Sequence, residues 1–225
     1  MGSALVDGLF GVAALSGVLL CALAVYCYRR WDEPGVVPFA VFATILGIAG
    51  IAGGVAAVFA SDPGAPELPL WAAIGLVAWS LSTVPWLLFG FQYTGKYTQF
   101  RRRTVGLLSI PAVVFGGTIV ADGSGWFGDA VVLDLVATFT SLYVLFLLII
   151  GIYLVVRTTH EYGHLSLVQG VSLGVAGVGT FLGLNTAGFL IDDPGITAAS
   201  GAFAAGFVVP AGLLAFTIFR YDMFE

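Results

Sequence analysis

The segment 160–164 carries the residue types best suited to chemistry. It reads His-Glu-Tyr-Gly-His and holds both histidines of the chain. The spacing matches H-E-x-x-H, in which two histidines one helical turn apart bind zinc and the glutamate acts as a general base. A catalytic zinc needs a third protein ligand, and the sequence offers no second acidic or histidine motif at membrane depth to supply it. We interpret the segment as a short polar loop that matches by chance. A membrane zinc metalloprotease using His160, Glu161 and His164 is the alternative.

A second group of polar side chains interrupts long apolar segments. Asp134, Thr138 and Ser141 follow one another at i, i+4 and i+7, which places them on one face of a helix. Trp79 and Asn185 lie about 13 Å and about 9 Å inside their own segments at the helical rise per residue. Such groups are costly in a membrane and are often functional. If these faces converge, Trp79, Asp134, Thr138 and Asn185 form a candidate site for a small ligand. Ordinary helix packing, with Asp134 favoured by a helix N-terminus, is the alternative.

The composition places these residues in a membrane protein. Of 225 residues, 59% are hydrophobic and only 9% are charged, whereas a soluble domain carries about 25% charge. At roughly 20 apolar residues per span, the chain accommodates seven spans with short loops. We predict an all-α membrane protein, a single seven-transmembrane helix bundle over residues 1–225. The predicted spans are 9–28, 36–60, 70–93, 104–121, 130–156, 167–191 and 196–219.

The distribution of charge predicts the orientation. All eight bases follow odd-numbered spans: Arg29, Arg30, Lys96, Arg101, Arg102, Arg103, Arg157 and Arg220. The opposite connections are acidic and carry Asp7, Asp62, Glu67, Asp122, Asp129, Asp192 and Asp193. The positive-inside rule therefore predicts an N-terminus outside and a C-terminus in the cytoplasm, in a multi-pass protein of the cell membrane. The acidic outer face also suggests an extreme halophile, because acidic surfaces stay solvated in high salt.

Several function classes can be tested against this arrangement. A retinal protein needs a lysine in its last helix, but the only lysine is Lys96 in a predicted loop; we expect no cofactor. A rhomboid-type protease needs a histidine within the bilayer, and both histidines lie outside the predicted spans. The basic loop 94–103 is more typical of contact with anionic lipid than of nucleic-acid binding. A small-solute transporter remains an alternative, although the two halves of the chain show no convincing repeat.

Glycine and proline predict how the helices pack. Three glycine pairs stand four residues apart, a spacing that lets helices approach closely: Gly50 and Gly54, Gly170 and Gly174, and Gly179 and Gly183. We expect tight packing within the bundle, and a homodimer through one of these faces is a further hypothesis. Pro85, Pro111 and Pro210 lie inside predicted spans and are expected to kink them. Pro210 would then act as a hinge in the last span.

The third span carries a recognisable motif. It reads Pro-Trp-Leu-Leu-Phe-Gly-Phe-Gln-Tyr-Thr-Gly over 85–95. This resembles the W-x-x-F-x-x-x-Y-T-G signature of the seven-transmembrane N-terminal region of microbial sensor histidine kinases, of the haloarchaeal type. Gln169 at the start of the sixth span, Asn185 late in it, and the pair Arg220-Tyr221 after the seventh are similar to that family too.

The resemblance implies an input module of a two-component system. Such a bundle detects a small ligand or a membrane stimulus, and its last helix passes a shift to PAS and kinase domains in the cytoplasm. By that resemblance we expect Pro210, Arg220 and Tyr221 to take part in signal output. The sequence ends at Glu225 without kinase domains, so we expect either a sensor region of a longer protein or a free-standing one, without enzymatic activity of its own.

Overall fold

The computed structural model describes residues 2–59, 70–95, 101–123, 130–162, 167–190 and 195–221. Within these ranges the chain forms seven α-helices and no strand, and each helix is long and apolar enough to cross a membrane. The helices are α1 Gly2–Tyr28, α2 Val36–Phe59, α3 Leu70–Tyr93, α4 Arg102–Gly123, α5 Ala130–Tyr162, α6 Leu167–Leu190 and α7 Ile196–Tyr221. This is the all-α, seven-helix membrane fold that the apolar segments predicted.

Two helices run at least six residues further than the predicted spans, whereas α4 and α7 differ from theirs by only two residues at an end. α1 begins at Gly2 rather than at residue 9, and α5 ends at Tyr162 rather than at residue 156. Hydropathy reports where the hydrocarbon ends, whereas a backbone helix can continue into the polar boundary region. The prediction that the His-Glu-Tyr-Gly-His segment lies in a short loop is therefore wrong for its first part. The backbone of His160 and Glu161 belongs to the last turn of α5, whereas Gly163 and His164 lie outside the described residues.

The helices form a closed ring, in which α3 is the most buried member. Each helix packs on its neighbours in sequence, α1 packs on α7, and α3 also packs on α5. In the most apolar stretch of α3, 61% of the residues are buried, whereas in that of α4 only 22% are buried. The motif of the third span therefore lies on the most buried of the seven helices.

The two ends of the bundle differ in charge. We call the end where α1, α3, α5 and α7 finish the basic end, because Arg29, Arg157 and Arg220 lie there. The opposite end, where these helices begin, is called the acidic end, after the acidic connections of the sequence.

Small residues bring two helix pairs into backbone contact. A methyl group on Gly54 of α2 would lie 2.6 Å from the carbonyl oxygen of Phe10 on α1. A methyl group on Gly183 of α6 would meet the backbone of Gly206 on α7. Contacts this short exclude any larger residue, so Gly54 and Gly183, from two of the three predicted pairs, mark close helix approach. A methyl group on Gly174, from the third pair, would lie at an ordinary distance of 3.5 Å from Ile152.

Candidate functional site

Trp86 lies at the point where α3 meets α5 and α6. Its side chain is fully buried, and it rests against the backbone of Gly151 on α5 and Gly177 on α6. A methyl group on Gly177 would come within 2.6 Å of the indole Cζ2, and one on Gly151 would collide with Nε1. The indole ring therefore occupies space that exists only because both facing residues are glycine.

The indole N–H of Trp86 is buried without a hydrogen-bond acceptor among the residues that the structure describes. An unsatisfied buried donor of this kind costs about 1–3 kcal/mol. Proteins tolerate this cost at few positions, and functional sites are among them. Trp86 thus combines close packing with a polar group that lacks a partner.

Aromatic rings continue from Trp86 toward the basic end. On α3, Trp86, Phe89 and Tyr93 stand at i, i+3 and i+7, so they share one face of the helix. The ring centroids of Trp86 and Phe89 are 5.6 Å apart, and those of Phe89 and Tyr93 are 5.1 Å apart. Phe42 and Phe39 of α2 lie 5.2 Å from Trp86 and 5.5 Å from Phe89. We call these five residues the aromatic row; it packs α3 against α2.

Hydrogen bonds tie the basic end of α3 to two other parts of the bundle. The Gln169 side-chain amide of α6 donates to the Tyr93 hydroxyl at 3.1 Å. The backbone N–H of Gly35, in the turn before α2, donates to Oε1 of Gln92 at 3.3 Å. The structure thus gives Gln169, one of the residues of the family resemblance, a direct contact with the motif.

The last two residues of the motif end the helix. The Thr94 hydroxyl donates to the Phe91 carbonyl at 3.0 Å, which satisfies an acceptor at the helix C-terminus. Gly95 has φ of 68°, and its N–H donates to the Gln92 carbonyl at 3.0 Å. Such a left-handed C-terminal residue is usually glycine. Each defined position of W-x-x-F-x-x-x-Y-T-G therefore has a physical role.

Helices α6 and α7 form a closely bonded pair. The buried Thr180 hydroxyl of α6 donates to the Gly206 carbonyl of α7 at 2.7 Å. A methyl group on Gly179 would lie 3.1 Å from Cγ of Pro210, which is itself buried. The predicted hinge residue of α7 therefore packs directly on α6.

The predicted ligand residues fall into two different environments. Trp79 is buried and stacks on Phe181 of α6, with ring centroids 6.0 Å apart and an interplanar angle of 27°. Asn185 is half-buried and donates from Nδ2 to the Phe181 carbonyl at 2.9 Å. Trp79 therefore packs on the Phe181 ring from α3, whereas Asn185 bonds the Phe181 backbone one turn away within α6.

Asp134 and Thr138 lie elsewhere, on α5. Both side chains are exposed, and within 131–139 every described side chain is exposed or only partly buried. The structure therefore does not bury these two residues together with Trp79. Their place in a ligand site stays a prediction.

A cavity of about 180 Å³ lies in the same half of the bundle, near the acidic end. The residues that line it are all of apolar types and include Gly75 of α3, Leu184 of α6, and Phe203 and Phe207 of α7. Leu184 is the sequence neighbour of Asn185. Reasoning from polar residues missed this cavity and Phe181, because apolar side chains in an apolar span give no signal.

The predicted output residues lie at the basic end of α7. Arg220 is exposed, and the Tyr221 ring makes an edge contact with Phe216 at 5.8 Å. Residues 222–225 lie outside the described ranges. The side chains of His160 and Glu161, and all of His164, also lie outside them, so the zinc interpretation stays an untested alternative.

Comparison with known proteins gives one match. The family model described as the N-terminal 7TM region of histidine kinase matches residues 12–225. No curated protein and no solved structure matches the chain. The match includes all seven helices, apart from the first residues of α1.

Proposed function

Because this chain belongs to the family of N-terminal seven-transmembrane regions of histidine kinases, we propose that it is the membrane-embedded input module of a signalling system. The observation that carries the proposal is the extent of the match, which covers residues 12–225. That family is the membrane region of the kinase and not its catalytic domain, which fits a non-catalytic sensor. Seven apolar helices indicate a multi-pass membrane protein.

The proposed stimulus is a small ligand or a change in the membrane, received near the acidic end. Trp79 supports this location, since it stacks on Phe181 of α6, and α6 also contributes Leu184 to an apolar cavity near this end. Asn185 follows Leu184 in the chain. Asp134 and Thr138 are proposed as further ligand contacts because they supply a carboxylate and a hydroxyl on one face of α5. By the positive-inside rule this end would face the outside of the cell.

The proposed signal route runs from α3 through α6 to α7. Trp86 against Gly177 and Tyr93 with Gln169 join α3 to α6. Thr180 with Gly206 joins α6 to α7. Packed helices shift between discrete arrangements rather than deform continuously, and a ligand drives such a shift only by its differential affinity for the two arrangements. A change at Trp79 would thus reach the cytoplasmic end of α7, where Arg220 and Tyr221 lie.

The test measures phosphohistidine on the associated kinase domains, in membranes that hold either the wild-type chain or variants of the α6–α7 contact. We expect the level of phosphohistidine to change when Thr180 is replaced. Kinase phosphorylation that stays the same when the whole seven-helix region is removed would refute the proposal.

A further inference from the structure

A groove of about 390 Å³ runs along the surface of the bundle between α2 and α4, with α3 as its floor. Both outer helices pack on α3. Val41 and Ile45 of α2, Pro85 and Leu88 of α3, and Val105 and Ser109 of α4 line it. The volume lies within the range of about 300–1,000 Å³ that is typical of ligand sites.

The groove has the length of one membrane leaflet. Its lining on α3 runs from Leu81 to Gln92, which at 1.5 Å per residue is about 16 Å. Half of the hydrocarbon core of a bilayer is about 15 Å. The groove starts at the basic end, beside Gln92, and continues inward between walls that are aliphatic apart from Ser109. An apolar chain that fills it would recover the dispersion contacts that an empty groove loses.

Helical periodicity places one positive charge on the groove side of α4, in its first turn. Arg102 opens α4 and is exposed. It stands three and seven residues before Val105 and Ser109, so helical periodicity places it on the face that lines the groove. Arg103 is also exposed but is turned about 100° away from Arg102 around the helix. An arginine guanidinium matches a phosphate group in geometry and charge.

We propose that this groove is a specific site for one anionic phospholipid. An acyl chain would lie between α2 and α4 on the floor formed by Pro85 and Leu88, and the phosphate would lie at Arg102. Pro85 is the chain neighbour of Trp86, so the lipid would contact the helix that carries the aromatic row. This inference does not depend on the proposed signalling function, because lipid binding is measured on the chain alone.

The test is native mass spectrometry of the full chain in detergent, titrated with phosphatidylglycerol or with phosphatidylcholine. We expect one phosphatidylglycerol to bind more tightly than phosphatidylcholine. Ser109→Phe and Val41→Phe place a ring in the groove from either wall and should abolish this binding. Leu107→Phe, an exposed position on another face of α4, is the matched control and should bind as the wild type does.

The charge is tested in the same experiment. Arg102→Gln should weaken phosphatidylglycerol binding about fivefold, whereas Arg103→Gln, which removes the same charge from another face, should leave it nearly unchanged. Unchanged phosphatidylglycerol binding in a groove-filling variant that still folds would overturn the proposal. Two such variants are used so that, if one misfolds, the other still provides the test. Equal loss in both arginine variants, or equal affinity for the two lipids, would also overturn it.

Discussion

The indole ring of Trp86 lies so close to Gly177 that a methyl group there would sit 2.6 Å from the ring atom Cζ2. The two residues are far apart in the chain and lie on different helices, α3 and α6. Their contact shows why the tryptophan of the motif needs a small residue on α6.

A double-mutant cycle measures this contact. Gly177→Ala should lower the free energy of unfolding by about 1–3 kcal/mol, because it overpacks the core against the indole. In the background Trp86→Phe the smaller ring leaves room, so the same change should cost much less. The measurement is unfolding in mild detergent. Gly117→Ala, at an α4 position with open space around it, should show no coupling to Trp86→Phe. Additive effects of Trp86→Phe and Gly177→Ala would contradict the contact.

Tyr93→Phe tests the link between α3 and α6. It removes the hydroxyl that accepts from Gln169, and we expect a loss of about 0.6 kcal/mol in unfolding free energy, as is usual for such bonds in membranes. We also expect a changed level of kinase phosphorylation. Tyr143→Phe is the control, because the Tyr143 hydroxyl donates to the Leu108 carbonyl at 2.8 Å and joins α5 to α4 instead. It should cost similar stability without changing phosphorylation, and equal changes in both variants would argue against the route.

Thr180→Val tests the link between α6 and α7. The valine keeps the shape of the side chain and removes its bond to the Gly206 carbonyl. We expect kinase phosphorylation to shift and stability to fall by about 0.6–1.7 kcal/mol. Thr217→Val is the matched control, since the Thr217 hydroxyl is also buried but donates within its own helix, to the Leu213 carbonyl at 2.8 Å. A signalling change in Thr217→Val alone would contradict the proposed route.

Asp134→Asn tests the proposed ligand contact on α5. The substitution keeps size and removes charge at an exposed position, so the amount of folded protein in the membrane should stay the same while the response to stimulus changes. Asp7→Asn, an exposed aspartate on α1, serves as the control and should respond as the wild type does. A normal response in Asp134→Asn would remove this residue from the site.

The orientation is tested by labelling. One cysteine residue is added at each terminus. A membrane-impermeant reagent applied from outside should label only the N-terminal cysteine, because the bases lie at the end of the bundle that carries the C-terminus. The two native cysteines, Cys21 and Cys27, are replaced by serine in all samples. Labelling of both termini from the same side would contradict the seven-span arrangement.

Much of the fold follows from hydropathy because each span must satisfy its backbone internally, and a helix does so without help from the rest of the chain. The end of α5 could not be predicted in this way, since Arg157 and the residues after it are polar but still helical. The site is harder to predict for a different reason. Trp79 and Asn185 stand out as polar or amphipathic groups, but Phe181, on which Trp79 stacks, resembles every other phenylalanine of the chain. Gly151 and Gly177 likewise become notable only when the fold brings Trp86 against them.

The ring of helices is closed by its first and last members. Phe10 of α1 meets Phe203 of α7 at 5.4 Å, and Tyr26 meets Phe219 at 5.2 Å. Chains are synthesised from the N-terminus, so α1 enters the membrane well before α7, the helix that covers this side of α1. During biogenesis that flank of α1 must be held by lipid or by the insertion machinery, and assembly finishes only when the final helix arrives.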